Sequence, residues 1–102
     1  MASYRVSADA KSDLRDIYRY SFKNHGEAQA DKYLESLYDV FDTIGNNPEI
    51  GLLPKFDTDS QLRKFPALKH IIFYKISISE VEIRRIFHSS RDIKNLDMKY
   101  FQ

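Results

Sequence analysis

The fold is decided by two adjacent stretches of the sequence, His70–Ile78 (HIIFYKISI) and Val81–His88 (VEIRRIFH). Both are rich in β-branched and aromatic residues, which favour the pleated, half-buried surface of a β-sheet. The polar pair Ser79–Glu80 between them is typical of a turn. The sequence therefore predicts a β-hairpin over residues 70–88.

The return strand of this hairpin does not alternate cleanly between apolar and polar residues. One face of a regular strand would carry Val81, Ile83 and Phe87. Arg85 would share that face, and Ile86 would lie on the opposite one. Either a β-bulge interrupts the strand or both faces of the sheet are partly covered. Arg85 is expected either to pair with an acid from a helix or to serve a ligand.

Upstream, residues 7–26 have the pattern of an amphipathic helix. Ser7 stands where a helix N-cap is expected, and Asp9 is an acid in the first turn. Gly26 is the kind of residue that follows a helix end. Apolar or small residues recur with the period of one helix face at Ala10, Leu14, Ile17, Tyr18 and Ser21.

A second helix is predicted to begin near Glu27 and to end at Gly45–Pro48. Its apolar residues repeat at spacings of four and three, a seam suited to an antiparallel helix pair. These residues are Ala30, Leu34, Leu37, Phe41 and Ile44. Because only a few residues join the two helices, we expect them to form an α-hairpin.

Short strands complete the predicted sheet. Tyr4–Val6 precedes the first helix, Leu62–Phe65 follows a loop-like segment over residues 49–61, and Asp92–Leu96 allows a short final helix. The order is β-α-α-β-β-β. The helical hairpin must pack on one face of a small antiparallel sheet, since neither layer can hide its apolar side alone. We expect a single α+β domain over residues 1–102, with the opposite sheet face open to a partner or substrate.

Composition narrows the class of protein. A chain of 102 residues, 42% hydrophobic and 30% charged, suits one soluble globular domain. No apolar run approaches the roughly 18 residues of a membrane span, and the N-terminus lacks the apolar core of a secretory signal. The absence of cysteine excludes disulfides and fits a reducing cytosol. The three histidines are not clustered with carboxylates, so we expect no metal or other cofactor and a cytoplasmic protein.

Charge is unevenly distributed along the chain. Residues 1–54 hold 6 Lys+Arg against 9 Asp+Glu, a net charge of −3, and residues 55–102 hold 10 against 6, a net charge of +4.

The densest group of polar side chains is Arg84–Asp92 (RRIFHSSRD), which ends the last predicted strand. A histidine with arginines can hold a phosphodiester and move its protons, although structural histidines and solvated arginines are commoner. The excess of positive charge in residues 55–102 either binds an acidic partner or is exposed to solvent. His70, which opens the central strand, is expected to be structural.

The chain also carries a series of short motifs whose order and spacing are specific when taken together. They are Tyr4–Ser7, Ala10, Asp13–Leu14, Ile17, Tyr20, Gly26, Gln29–Ala30, Tyr33, Asn47–Pro48, Gly51, Leu62–Pro66, His70, Ile72–Tyr74, Arg85–His88 and Asp92. This series resembles the ParE toxins, within the ParE/RelE superfamily of type II toxin–antitoxin systems. The fold of that family, a helical hairpin on a small antiparallel sheet, agrees with the architecture predicted above.

The resemblance implies a protein-binding inhibitor of DNA gyrase with no catalysis of its own. Such toxins stall gyrase on cleaved DNA, cause growth arrest and serve in plasmid maintenance. A ParD-like antitoxin would neutralise the toxin by wrapping it, and would itself bind the operator. The toxin would therefore reach operator DNA only through its antitoxin.

The resemblance also suggests where the partners bind. Gyrase contacts are expected at the end of the last strand and in the tail, at Arg84, Arg85, His88, Arg91, Tyr100 and Phe101. Antitoxin contacts are expected beside the helical hairpin, at Leu14, Ile17, Tyr18, Tyr38 and Phe41.

Two other functions stay open. RelE-like relatives cut mRNA within the ribosome, and here that activity would use Arg63, Arg85 and His88. The chain could instead be an inactive toxin, retained to pair with its antitoxin and repress its operon. Gyrase inhibition predicts cleaved DNA trapped on gyrase, the RelE activity predicts cleaved mRNA, and the inactive form predicts no growth arrest.

Overall fold

The protein combines a helical hairpin with a small sheet. The computed structural model describes residues 3–53 and 61–90. The elements are β1 Tyr4–Val6, α1 Ala8–His25, α2 Glu27–Asn46, a 3-10 turn Pro48–Ile50, β2 Arg63–Ala67, β3 His70–Ile76 and β4 Val81–His88. The α+β class and the β-α-α-β-β-β order are confirmed. The final helix expected over Asp92–Leu96 lies outside the described residues.

The strands form one mixed sheet in the order β1-β4-β3-β2. β3 pairs antiparallel with both β2 and β4, as the hairpin predicted, whereas β1 pairs parallel with β4. The expectation of an entirely antiparallel sheet is therefore wrong for β1. Short hairpin connections impose antiparallel pairing, but both helices and two strands separate β1 from β4, so no such constraint acts on it.

A β-bulge explains the irregular pattern of β4. The register between β3 and β4 shifts between Phe73 and Tyr74, and Arg84 is the extra residue opposite that shift. Because of it, Ile83 and Ile86 both pack in the core under the helices, although they lie three positions apart. The bulge that the sequence offered as one alternative is present.

The main core lies between the helical hairpin and the sheet. Ser7 caps α1 as expected, since its Oγ accepts a hydrogen bond from the Ala10 N–H (3.1 Å). Gly26 has a φ of 86°, which lets the chain pass from α1 into α2 with no intervening loop. The buried residues of this core are Ala10, Leu14, Leu37, Phe41, Ile44, Ala67, Ile72, Tyr74, Val81, Ile83 and Ile86.

The second face of the sheet carries its own buried cluster. Leu62, Phe73 and Phe87 are buried there, with Ile71 packed against them. The rings of Phe73 and Phe87 lie 5.7 Å apart, and the Arg85 guanidinium lies 4.6 Å from the centre of the Phe87 ring. The expectation that this face is open to a partner is wrong for its apolar centre, because those side chains are already buried.

Tyr74 ties the 3-10 turn to the sheet. Its ring is fully buried, and its hydroxyl donates to the Pro48 carbonyl (2.7 Å) and accepts from the Gly51 N–H (2.8 Å). A Cβ at position 51 would lie 2.6 Å from the Tyr74 hydroxyl oxygen. Glycine is therefore required at position 51 by close approach.

Replacing Tyr74 by phenylalanine should destabilise the fold, because the backbone groups of Pro48 and Gly51 would lose their partner. We expect Tyr74→Phe to lower the free energy of unfolding by about 2–3 kcal/mol, measured by chemical denaturation. The matched control is Tyr20→Phe, whose side chain is exposed. A loss no larger for Tyr74→Phe than for the control would contradict this role.

Candidate functional site

Asp13 of α1 holds the end of β4. Its carboxylate accepts two hydrogen bonds from the Arg85 guanidinium (2.9 and 3.1 Å) and one from the Ile86 N–H (2.9 Å). Both charged side chains are largely buried. The pairing of β1 with β4 ends at Val6 and Ile83, so Asp13 supplies the acceptor that a longer β1 would have supplied to Ile86.

Ser7 covers the stretch of β4 between these two contacts. Its N–H donates to the Ile83 carbonyl (2.9 Å) and its hydroxyl donates to the Arg84 carbonyl (3.0 Å). The segment from β1 to the second turn of α1 therefore follows the edge of β4 and satisfies its backbone groups. This contact fixes the position of the β4 end relative to α1.

Arg84 lies at the bulge, on the surface. Its guanidinium forms an ion pair with Glu82 (3.2 Å), and Glu82 also pairs with Arg5. Arg5 in turn lies 3.7 Å from the Glu80 carboxylate. Arg84 is therefore part of a partly exposed charge network beside the strand end. A single partly exposed ion pair such as Arg84–Glu82 contributes about 0–1 kcal/mol, which leaves the arginine able to exchange partners.

An open groove of about 860 Å³ runs between the helical hairpin and the ends of β3 and β4. Ile17 and Tyr20 line it from α1, and Tyr33 lines it from α2. His70 and His88 line it from the sheet, facing each other across the β3–β4 pair with ring centres 5.2 Å apart. A structural role for His70 was expected, but its pairing with Tyr33 was not.

A short hydrogen-bonded chain connects the backbone of Lys69 to His70 through Tyr33. The Tyr33 hydroxyl accepts from the Lys69 N–H (3.1 Å), and its oxygen lies 2.6 Å from Nδ1 of His70, within hydrogen-bond distance. Burial, with a smaller contribution from His88, lowers the pKa of His70 to about 4, against the opposing effect of Asp13. Burial also raises the pKa of Tyr33, against the Lys69 hydrogen bond. His70 is therefore neutral near pH 7.

His88 is exposed at the end of β4. Its Nδ1 accepts from the Ser90 N–H (3.1 Å) and lies 2.7 Å from the Ser90 hydroxyl. Since Nδ1 is an acceptor, the proton of the neutral ring is on Nε2. This arrangement presents a donor at the groove, beside the Tyr33–His70 pair.

The residues proposed for an mRNA-cleaving site do not share one face of the sheet. Arg63 lies opposite Tyr74, whose side chain is in the main core, and donates to the carbonyl of Gly51 (2.8 Å). Arg85 lies opposite Phe73, in the cluster on the second face. The two side chains therefore leave their strands on opposite faces of the sheet, and both guanidiniums make hydrogen bonds within the fold.

The residues proposed for antitoxin contact divide into two sets. Leu14 and Phe41 are buried in the main core, so the expectation that they meet a partner directly is wrong. Ile17 and Tyr18 are partly exposed, and Tyr38 is exposed. The Tyr18 hydroxyl donates to Asp31 of α2 (2.7 Å), and this bond raises the pKa of Tyr18.

The residues proposed for target contact differ in their exposure and in whether the structure describes them. Arg84 and His88 lie near the end of β4 and are at least partly accessible, whereas Arg85 forms the predicted pair with a helix acid. The tail residues Arg91, Tyr100 and Phe101 lie outside the described residues. Within residues 3–53 and 61–90, no three histidine or carboxylate residues are placed to hold a metal ion, and no helix is apolar enough to span a membrane.

Protonation of His70 should weaken the fold. Its pKa in the folded protein, about 4, is below the unfolded value near 6.5, so the unfolded chain binds more protons between these pH values. We expect stability to fall by about 1–2 kcal/mol from pH 6.5 to pH 4, because the half-buried ring is partly screened.

The measurement is urea denaturation across that pH range for the wild type and for His70→Asn. The asparagine can still form a hydrogen bond with Tyr33 but cannot take up a proton, so its stability should change less. The exposed residue His25 provides the control His25→Asn, which should follow the wild type. An equal fall in stability for His70→Asn and the wild type would contradict the role of His70.

Comparison with known proteins agrees with this architecture. A family model described as "ParE toxin of type II toxin-antitoxin system, parDE" matches residues 4–93. Toxin ParE1 of Caulobacter vibrioides is 33% identical over 94 residues, which cover 92% of this chain and 96% of that protein. A solved structure described as a chromosomal ParDE TA system from P. aeruginosa superposes with a TM-score of 0.73 at 18% identity, covering 86% of this chain and 96% of that one.

The structural match shows a shared fold, and the match to the family model extends over both helices and all four strands. The resemblance that the short motifs suggested is thereby confirmed. The chain belongs to the ParE toxin family of type II toxin–antitoxin systems.

Proposed function

We propose that this chain is a toxin that inhibits DNA gyrase and is neutralised by a ParD-like antitoxin. The match to the ParE family model over residues 4–93 carries the proposal. The similar P. aeruginosa structure is described as a ParDE system, which supports an antitoxin partner. Both the toxin and its target would then be in the cytoplasm, and contact with operator DNA would be made by the antitoxin.

The geometry favours inhibition by binding over RNA cleavage. Cleavage of the RelE type would require Arg63, Arg85 and His88 to converge on one phosphate. Arg63 instead bonds the carbonyls at the 3-10 turn, and Arg85 is held by Asp13 of α1 at the edge of β4. These two guanidiniums support the fold, and moving them to a common phosphate would break the contacts that hold the 3-10 turn and the end of β4.

The end of β4 supports the proposal as a target-binding surface. Arg84 is on the surface in a charge network that can exchange partners, and His88 is exposed at the groove, where its ring presents a donor. Arg85 would contribute by holding the strand end in place through Asp13. Arg91, Tyr100 and Phe101 remain proposed contacts.

The antitoxin is proposed to bind beside the helical hairpin. Ile17 lines the open groove, and Tyr18 and Tyr38 are at least partly exposed on the helices. Apolar side chains at the centre of an interface with a polar rim are typical of stable protein–protein contacts. Leu14 and Phe41 would support these residues from the core without touching the antitoxin.

Induced expression of the chain should arrest growth and induce the DNA-damage response, since gyrase stalled on cleaved DNA leaves strand breaks. Co-expression of the neighbouring antitoxin reading frame should relieve both effects. Purified toxin should inhibit supercoiling by gyrase in the absence of ribosomes. Arrest with fragmented mRNA and normal supercoiling, or no arrest at all, would contradict the proposal.

Variants at the end of β4 test whether this surface contacts gyrase. Arg84→Ala combined with His88→Ala should weaken gyrase inhibition by about tenfold or more, the range of a binding hot spot. The control, Lys32→Ala combined with Lys64→Ala, removes two exposed basic side chains that neither belong to β4 nor line the groove. Circular dichroism and antitoxin binding should be unchanged in the first variant, which separates loss of target contact from loss of fold. Equal inhibition by the two variants would contradict the proposed surface.

A further inference from the structure

The two helices carry exposed stripes of opposite charge. The basic stripe on α1 consists of Lys11, Arg15, Arg19 and Lys23, each four residues after the last. The acidic stripe on α2 consists of Glu27, Asp31, Glu35 and Asp39, with the same spacing. All eight residues are exposed. Each stripe extends over about 18 Å of helix.

The stripes lack compensating ion pairs within the described part of the chain. Like charges four residues apart on a helix repel each other, and each stripe contains three such pairs. Among residues 3–53 and 61–90, none of the eight side chains forms an ion pair. Asp31 accepts its hydrogen bond from the neutral hydroxyl of Tyr18. An opposite charge brought from outside would therefore relieve the repulsion within each helix.

The stripes lie side by side on the hairpin. Tyr18 of α1 bonds Asp31 of the acidic stripe at an exposed position, and Arg19 of the basic stripe follows Tyr18 in the sequence, so the two stripes adjoin each other on the hairpin. Since α1 and α2 run in opposite directions from Gly26, each basic residue lies within about one helical turn of the level of an acidic residue. Phe22 and Tyr38, half and two-fifths exposed, add apolar surface to this region.

We propose that this face binds a second copy of the chain. A two-fold axis parallel to the helices would place α1 of each copy over α2 of the other, so that every basic stripe meets an acidic one. The same two-fold rotation brings both basic stripes against acidic stripes. The face is therefore self-complementary, as a two-fold dimer requires. The proposal goes beyond the toxin function and does not depend on it.

The test is the oligomeric state of the full chain, made by cell-free synthesis, in analytical ultracentrifugation. The wild type should dimerise at about 0.05 M salt, and its dissociation constant should rise about tenfold or more at 0.5 M salt, where charges are strongly screened. A wild type that is monomeric at both salt concentrations would overturn the proposal.

Two charge-reversed variants make the test specific. The first, Lys11→Glu with Arg15→Glu, reverses two charges of the basic stripe, and the second, Glu35→Arg with Asp39→Arg, reverses the two acidic charges at the same levels of the hairpin. Each alone should be monomeric, because its stripes repel those of an identical copy. An equimolar mixture should form heterodimers, detected by native mass spectrometry, because each reversed stripe then meets a stripe of opposite charge.

The control is Lys64→Glu with Lys69→Glu, which makes the same charge change as the first variant outside the hairpin and should dimerise like the wild type. Circular dichroism should show every variant folded. Failure of the mixture to form heterodimers would overturn the proposal even if each variant is monomeric. Amide hydrogen exchange gives a further check. If this face of α1 and α2 is protected only when an antitoxin is added, the dimer proposal is overturned and the stripes belong to the antitoxin interface.

Discussion

The carboxylate of Asp13 is the contact on which the rest of the structure depends. It joins α1 to the end of β4 by accepting hydrogen bonds from the Arg85 side chain and the Ile86 backbone. A three-residue β1 is too short to pair with the whole of β4. Without another acceptor, the far part of that strand would present an unpaired edge, which is costly where it is buried.

The same contact connects the fold to the proposed function. By fixing the end of β4, it places His88 at the groove and leaves Arg84 on the surface at the bulge. Arg85, which the family resemblance would place among the target contacts, is held by Asp13 and supports the strand end. A charged residue at a functional strand end can therefore act by holding its neighbours in place.

Sequence patterns predicted the helices, the β3–β4 hairpin and the α+β class, because periodicity and capping are local properties. The parallel pairing of β1 was not predicted, since it depends on which strand edge remains available after folding. The sequence offered a helix acid as one partner for Arg85, but α1 contains Asp9, Asp13 and Asp16, and only the docking angle of the helix selects Asp13. The Tyr33–His70 contact was missed for the same reason.

Amide hydrogen exchange at Ile86 tests the role of Asp13 most directly. In the wild type, this amide should be protected like the Tyr74 amide in the centre of the sheet. In Asp13→Ala, it should exchange at least about tenfold faster relative to Tyr74, because its acceptor is gone. Unchanged relative protection of Ile86 would contradict the account, since the edge of β4 would then not depend on Asp13.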